Sequence, residues 1–272
     1  MLTSGINFVN FNKKNKSFKL GRNLQSIIND KNEILNSLSN NYRDSYKKNF
    51  VNKYKVFSNY RVIGMGGSIL GTRTIYEFLK HKIKKNFLFI DNLQNTLSQS
   101  KKKTVNIIVS KSGNTIETIA NSNIILKKNN KNIFVTENKK NYLYRLAENL
   151  KGEIVHHNNY IGGRYSVLSE VGMLPAELMG LKSKNFRQFN SLIKNKRFLN
   201  SLINNVGSIL YYIKNQKFNS IIINYDEKSE SLFKWYQQLV AESLGKKKSG
   251  LLPIVSNMPK DNHSVMQLYL DG

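Results

Sequence analysis

Two short segments of the chain gather chemistry-bearing groups into loops behind apolar runs. Gly64-Met65-Gly66-Gly67-Ser68-Ile69-Leu70-Gly71 comes directly after Arg61-Val62-Ile63 and opens a helix-length segment. Free backbone amides and the positive end of a helix dipole would face an anion placed there. The loop lacks a Gly-Lys-Ser/Thr ending, and its glycines are not spaced as a dinucleotide fingerprint. A phosphate or sugar site and a structural turn therefore both fit it. The second loop, Ser110-Lys111-Ser112-Gly113-Asn114-Thr115-Ile116-Glu117-Thr118, follows the apolar run 105–109. Its three hydroxyls at Ser110, Ser112 and Thr115, with Lys111 and free amides ahead of a helix, suit a dianionic phosphate. The alternative is an ordinary cap with Thr115 as N-cap. Gln238 stands four residues before Glu242, so on a helix both side chains leave one face and one pocket can receive them.

The elements that must position these groups are legible as apolar runs alternating with helical stretches. Runs at 60–63, 86–90, 105–109, 132–135 and 153–155 are short, β-branched or aromatic, and bounded by Gly, Asn or Lys, as buried parallel strands are. Helix-length segments at 74–80, 115–128 and 142–150 lie between them, which predicts a doubly wound α/β unit with a mostly parallel sheet. A polar, mainly helical stretch over 185–217 leads to a further strand at 220–224, a helix at 232–244 and an apolar run at 251–255. The expected fold class is α/β, with two doubly wound units built on parallel sheets, the second incomplete. The expected organisation is a mainly helical segment over 1–58, a first α/β domain over 59–184 and a second over 185–272.

Composition narrows the class further. The chain has 272 residues, 40% of them hydrophobic and 22% charged, and no cysteine. Disorder throughout, a disulfide scaffold, thiolate metal sites and a catalytic thiol are excluded. No basic leader with a long apolar run opens the chain, and no stretch of about 18 apolar residues occurs, so a soluble cytoplasmic protein without membrane partners is expected. Forty-three Lys and Arg against 17 Asp and Glu give a net charge of +26. The basic residues are spread along the chain beside asparagines rather than interleaved with stacking aromatics, which reads as solvated surface charge and not as a specific nucleic-acid groove.

The two loops gain meaning from three later blocks that follow in order: Gly162-Gly163-Arg164-Tyr165-Ser166-Val167-Leu168-Ser169-Glu170-Val171-Gly172, Gln238-Leu239-Val240-Ala241-Glu242-Ser243-Leu244-Gly245, and Asp261-Asn262-His263-Ser264-Val265-Met266-Gln267. Together the five blocks resemble the glucose-6-phosphate isomerase family, in its bacterial-type short form, over roughly 60–272. The resemblance implies two sugar-isomerase (SIS-type) units and an aldose–ketose isomerase that interconverts glucose 6-phosphate and fructose 6-phosphate through a cis-enediol(ate). Such a reaction needs an acid, a base and a stabiliser of negative charge, and no redox cofactor or metal. By resemblance Glu242 is the base, Arg164 stabilises the enediolate, and His263 opens the sugar ring, entering from the neighbouring subunit of a homodimer. Gly67 and Ser68 match sugar-contacting positions. Ser110, Lys111, Ser112 and Thr115 match the phosphate loop, and Gln238 matches a substrate-holding position. His81, His156 and His157 fall in no motif and read as structural or exposed.

The chain departs from the family pattern in two ways. Ser112 stands where the family often has Thr, and Gly113-Asn114 differ from the commoner dipeptide, although the hydroxyls are kept. The family also continues into a C-terminal stretch bearing an active-site lysine that no lysine here matches, which reads as a fragment or truncated product. Another sugar-phosphate isomerase, or a sugar-phosphate-binding regulator without catalysis, could use the same α/β unit. A regulator would carry a helix-turn-helix, and 1–58 offers no convincing one.

Overall fold

The computed structural model describes residues 11, 13, 19–93, 103–246 and 249–272, so the start of the 1–58 segment lies outside the described residues. Helices α1 (Leu20–Asn29), α2 (Glu33–Ser37) and α3 (Lys48–Lys55) precede β1 (Asn59–Ile63), α4 (Leu70–Phe78), β2 (Asn86–Ile90), β3 (Thr104–Val109), α5 (Ile116–Ile125), β4 (Lys131–Glu137), α6 (Tyr142–Leu150) and β5 (Glu153–His157). After them come α7 (Glu170–Leu178), α8 (Phe189–Leu192), α9 (Lys196–Lys214), β6 (Asn219–Asn224), α10 (Glu230–Leu244), β7 (Leu252–Asn257) and α11 (Met266–Asp271).

Strands β1 to β5 form one all-parallel sheet in the order β2-β1-β3-β4-β5. Both faces are covered, as the near-continuous apolar strands require. On one face Val62, Val105, Ile107, Ile133 and Val155 pack with Val51 and Tyr54 of α3, Ile75 of α4 and Met173 and Leu174 of α7. On the other, Ile63, Ile108 and Phe134 pack with Ile125 of α5 and Leu143 and Ala147 of α6. The chain thus winds both ways from the centre of the sheet, and the order reverses between β1 and β3. That crevice is where open parallel sheets place ligands.

The five expected strands are present with ends shifted by up to two residues, and the doubly wound α/β class holds. Helix α7 was not expected. It is buried nearly all round, with Val171, Met173, Leu174, Ala176 and Leu178 sealed from solvent, so its sequence has no polar face to give a period. A buried polar ladder crosses the sheet beside Ile63, Ile108 and Phe134. Arg61, Asn106 and Asn132 stand in register, with Arg61 Nη1 donating to Asn106 Oδ1 at 3.2 Å and Asn106 Nδ2 to Asn132 Oδ1 at 2.8 Å. Each of these groups would be costly to bury alone.

Strands β6 and β7 make a separate two-stranded parallel sheet. Helix α10, which connects them, packs on β7 and on α4 of the first unit, carrying its residues to the β1 end of the large sheet. Ile221 and Ile223 of β6 remain 38% and 46% exposed. Among the described residues, no helix is long and apolar enough to cross a membrane.

Candidate active site

Both chemistry-bearing loops sit at the carboxyl ends of β1 and β3, on the two sides of the switch point. After β1 the chain makes a 3-10 turn, Gly66–Ser68, before α4. A Cβ on Gly67 would lie 2.3 Å from the carbonyl carbon of Gly163. Only a residue without a side chain lets the Arg164 segment approach this turn so closely. That segment is itself a 3-10 helix, Gly163–Leu168, closed by Ser166 Oγ donating to Gly163 O at 2.7 Å.

Arg164 points from this segment to the last turns of α10. Its Nη1 donates to Glu242 Oε1 at 2.8 Å, and its Nε to Ser243 Oγ at 2.8 Å. Its guanidinium also lies over the Tyr165 ring, 4.6 Å from the centroid. Burial would push the Tyr165 phenol up, but hydrogen bonds to Ser243 and Arg164 and the nearby guanidinium charge bring it below its ordinary value. One turn before Glu242 on α10, Gln238 Nε2 donates to Glu242 Oε2 at 3.2 Å. The spacing therefore does place Gln238 and Glu242 on one face. Gln238 Oε1 is buried without a hydrogen-bond partner among the described residues. The Glu242 side chain is 51% exposed while Arg164 is 18% exposed. A ligand can therefore reach the carboxylate, against a guanidinium already fixed from behind.

In the second loop, Ser110 is buried and its Oγ lies 2.9 Å from Thr115 Oγ1. Thr115 occupies the N-cap position of α5, but its side chain makes no capping hydrogen bond, which leaves the hydroxyl turned to Ser110. Ser112 is exposed and its Oγ accepts from Asn114 N at 3.2 Å. Gly113 has φ +65, where a Cβ would also run into the Asn141 side chain, so glycine suits this position on both counts. Asn114 serves the neighbouring helix instead of the cradle: its Oδ1 accepts from Tyr142 N at 3.2 Å. Lys111 is held by its backbone, whose carbonyl accepts from Glu137 N and Thr136 Oγ1.

Arg164, Gln238 and Glu242 are thus brought together beside Gly67, with Ser110, Lys111, Ser112 and Thr115 across the switch point. His263 is not joined to them. It is exposed in the turn Lys260–His263 after β7 and makes no hydrogen bond to Arg164, Gln238 or Glu242. The motifs did not single out Ser243 and Trp235. The indole Nε1 of Trp235 donates to Arg164 O at 3.1 Å. Both hold Arg164 across some 70 residues of chain, a contact that no local spacing reveals. Among the described residues, no three His, Asp or Glu side chains gather as a metal site.

This is the doubly wound α/β fold of sugar-isomerase domains. A hypothetical protein from Thermus thermophilus superposes with a TM-score of 0.72 over 93% of this chain and 67% of its own, at 24% identity. Tagatose-6-phosphate ketose/aldose isomerase from Escherichia coli gives 0.51 over 81% of this chain and 63% of its own, at 14% identity. The chain belongs to the phosphoglucose isomerase family, whose model matches residues 11–251. The glucose-6-phosphate isomerase of Methanocaldococcus jannaschii is 37% identical over 251 residues, which cover 85% of this chain and 62% of that relative's length. The family match begins well before residue 60, where the motifs start, so it takes in the N-terminal helices. It stops short of His263.

Proposed function

We propose that this chain carries the catalytic core of a glucose-6-phosphate isomerase. In the forward direction the Glu242 carboxylate removes the proton from C2 of open-chain glucose 6-phosphate, and the electron pair forms the C1–C2 double bond of a cis-enediolate. A proton moves between the two oxygens, Glu242 returns its proton to C1, and the C2 carbonyl of fructose 6-phosphate forms. Negative charge develops on the sugar oxygens only along this path, and Arg164 is the fixed cation that can meet it. Gln238, whose Nε2 donates to Glu242, helps to hold the substrate. Ser110, Lys111, Ser112 and Thr115 hold the phosphate, while Gly67 and Ser68 line the sugar. His263, supplied across a dimer interface, opens the ring.

The observation that carries this reading is the pairing of a fixed arginine with a solvent-reachable carboxylate: Arg164 Nη1 to Glu242 Oε1, 2.8 Å, over the switch-point loops. The test is conversion of fructose 6-phosphate to glucose 6-phosphate, coupled to a dehydrogenase. Measurable turnover, nearly abolished by Glu242→Gln, is expected. Turnover that survives the substitution would overturn the assignment of the base.

A further inference from the structure

We propose that the buried Glu170–His157 pair is the positioning device that fixes Arg164 against Glu242. The segment 158–169 joins β5 to α7 and carries Arg164, and these two residues stand at its two ends. His157 and Glu170 are each only 2% exposed. His157 Nδ1 lies 3.4 Å from Glu170 Oε2, and its Nε2 lies 3.0 Å from Ile161 O. The Nε2 nitrogen faces a carbonyl and therefore donates. Ser169 Oγ, the other neighbour of Nδ1, spends its hydrogen on Ser166 O at 2.7 Å, so Nδ1 also faces acceptors and donates to the carboxylate.

The pair is anchored from outside the segment as well. Glu170 Oε1 accepts from Tyr42 OH at 3.0 Å and from Ser45 N at 3.2 Å. Arg187 donates to Leu168 O from Nε at 3.1 Å and from Nη2 at 2.9 Å, while its guanidinium grips Asp44 in a two-pronged pair. At the other end Ser45 Oγ donates to His156 O at 2.6 Å, so the N-terminal stretch 42–45 is bolted to both ends of the segment. None of these side chains hydrogen-bonds Arg164; they act by closing the segment so that residue 164 has one place to stand. Removing either partner of such a buried pair would leave the other charge uncompensated, so the two hold one geometry together.

This inference rests on the reading of Arg164 as the group that stabilises the enediolate, and its test separates the two. Trp235 is the only tryptophan and its indole is bonded to Arg164 O, so its emission reports the segment whether or not the chain turns over substrate. In Glu170→Ala the emission is expected to shift, kcat for fructose 6-phosphate to fall about 10- to 100-fold, and KM to stay within about two-fold. In an Arg164→Ala background the same substitution should change kcat by less than about two-fold, because the effect passes through Arg164. His157→Asn leaves Glu170 its Tyr42 and Ser45 bonds and should reproduce the spectral shift. Equal losses of kcat in both backgrounds, or a wild-type Trp235 spectrum in both single variants, would overturn the proposal. If the unmodified chain shows no turnover, the functional reading fails while the spectra still decide the positioning role.

Discussion

Glu242 shows how far a single residue can be read from its neighbours in sequence. Four-residue spacing to Gln238 on an expected helix predicted a shared face, and the 3.2 Å contact between them bears this out. The guanidinium that completes the pair comes from 78 residues away in the chain, and only the motif order hinted at it. At the phosphate loop, the hydroxyl inventory was legible, but its division of labour was not. Ser110 and Thr115 face one another, while Asn114 accepts from the first amide of α6. If the loop holds the substrate's phosphate, the double substitution Ser112→Ala with Thr115→Ala should weaken binding of glucose 6-phosphate by ~1.5–3 kcal/mol per charge-assisted hydrogen bond lost. Binding of glucose, weak from the start, should not change. Titration calorimetry with both sugars decides this, and equal affinity for the two would count against the loop.

At the scale of elements, the strands were the most legible part because burial on both faces leaves nearly continuous β-branched runs such as 107–109. The same burial hid α7, whose apolar surround removes the helical period. The polar members of the strands were the least legible. Arg61, Asn106 and Asn132 look like interruptions of apolar runs, yet in register they form one hydrogen-bonded ladder. Asn106→Leu would orphan the Arg61 guanidinium and the Asn132 carbonyl oxygen together. A loss of about 1–3 kcal/mol for each buried group left unpaired is expected in urea unfolding, and a neutral substitution would show that the ladder is not satisfied by Asn106.

Across the whole molecule, the N-terminal helices that carried no recognisable motif turn out to be tied to the centre through Tyr42, Asp44 and Ser45. The partners of these residues lie more than 100 positions away, beyond the reach of local pattern. This tie has a pH signature. Burial would raise the Glu170 carboxyl, but hydrogen bonds from His157 and its own backbone, the His157 charge and the Tyr42 hydroxyl hold it below its ordinary value. A depressed carboxyl contributes stability above its unfolded-state value and loses it as pH falls through its folded-state value. The stability gap between the unmodified chain and Glu170→Ala should therefore be full near about pH 7 and shrink below about pH 4. A gap independent of pH would show that the ionised carboxylate is not what stabilises. Among the described residues, Arg61 and Arg187 are the only buried Lys or Arg side chains, which leaves most of the +26 charge on solvated surface.

The central claim is that Glu242 moves a carbon-bound proton on a sugar phosphate, and solvent-deuterium exchange tests it with the fewest intermediaries. Fructose 6-phosphate supplies some open-chain ketose unaided, so the measurement does not depend on how the ring is opened. Incubated with the chain in deuterium oxide and followed by NMR, the substrate should gain deuterium at C1. Glu242→Gln should almost abolish that gain while leaving binding of the sugar phosphate largely intact. Exchange at the same rate in both proteins, or none in the unmodified chain, would contradict the account.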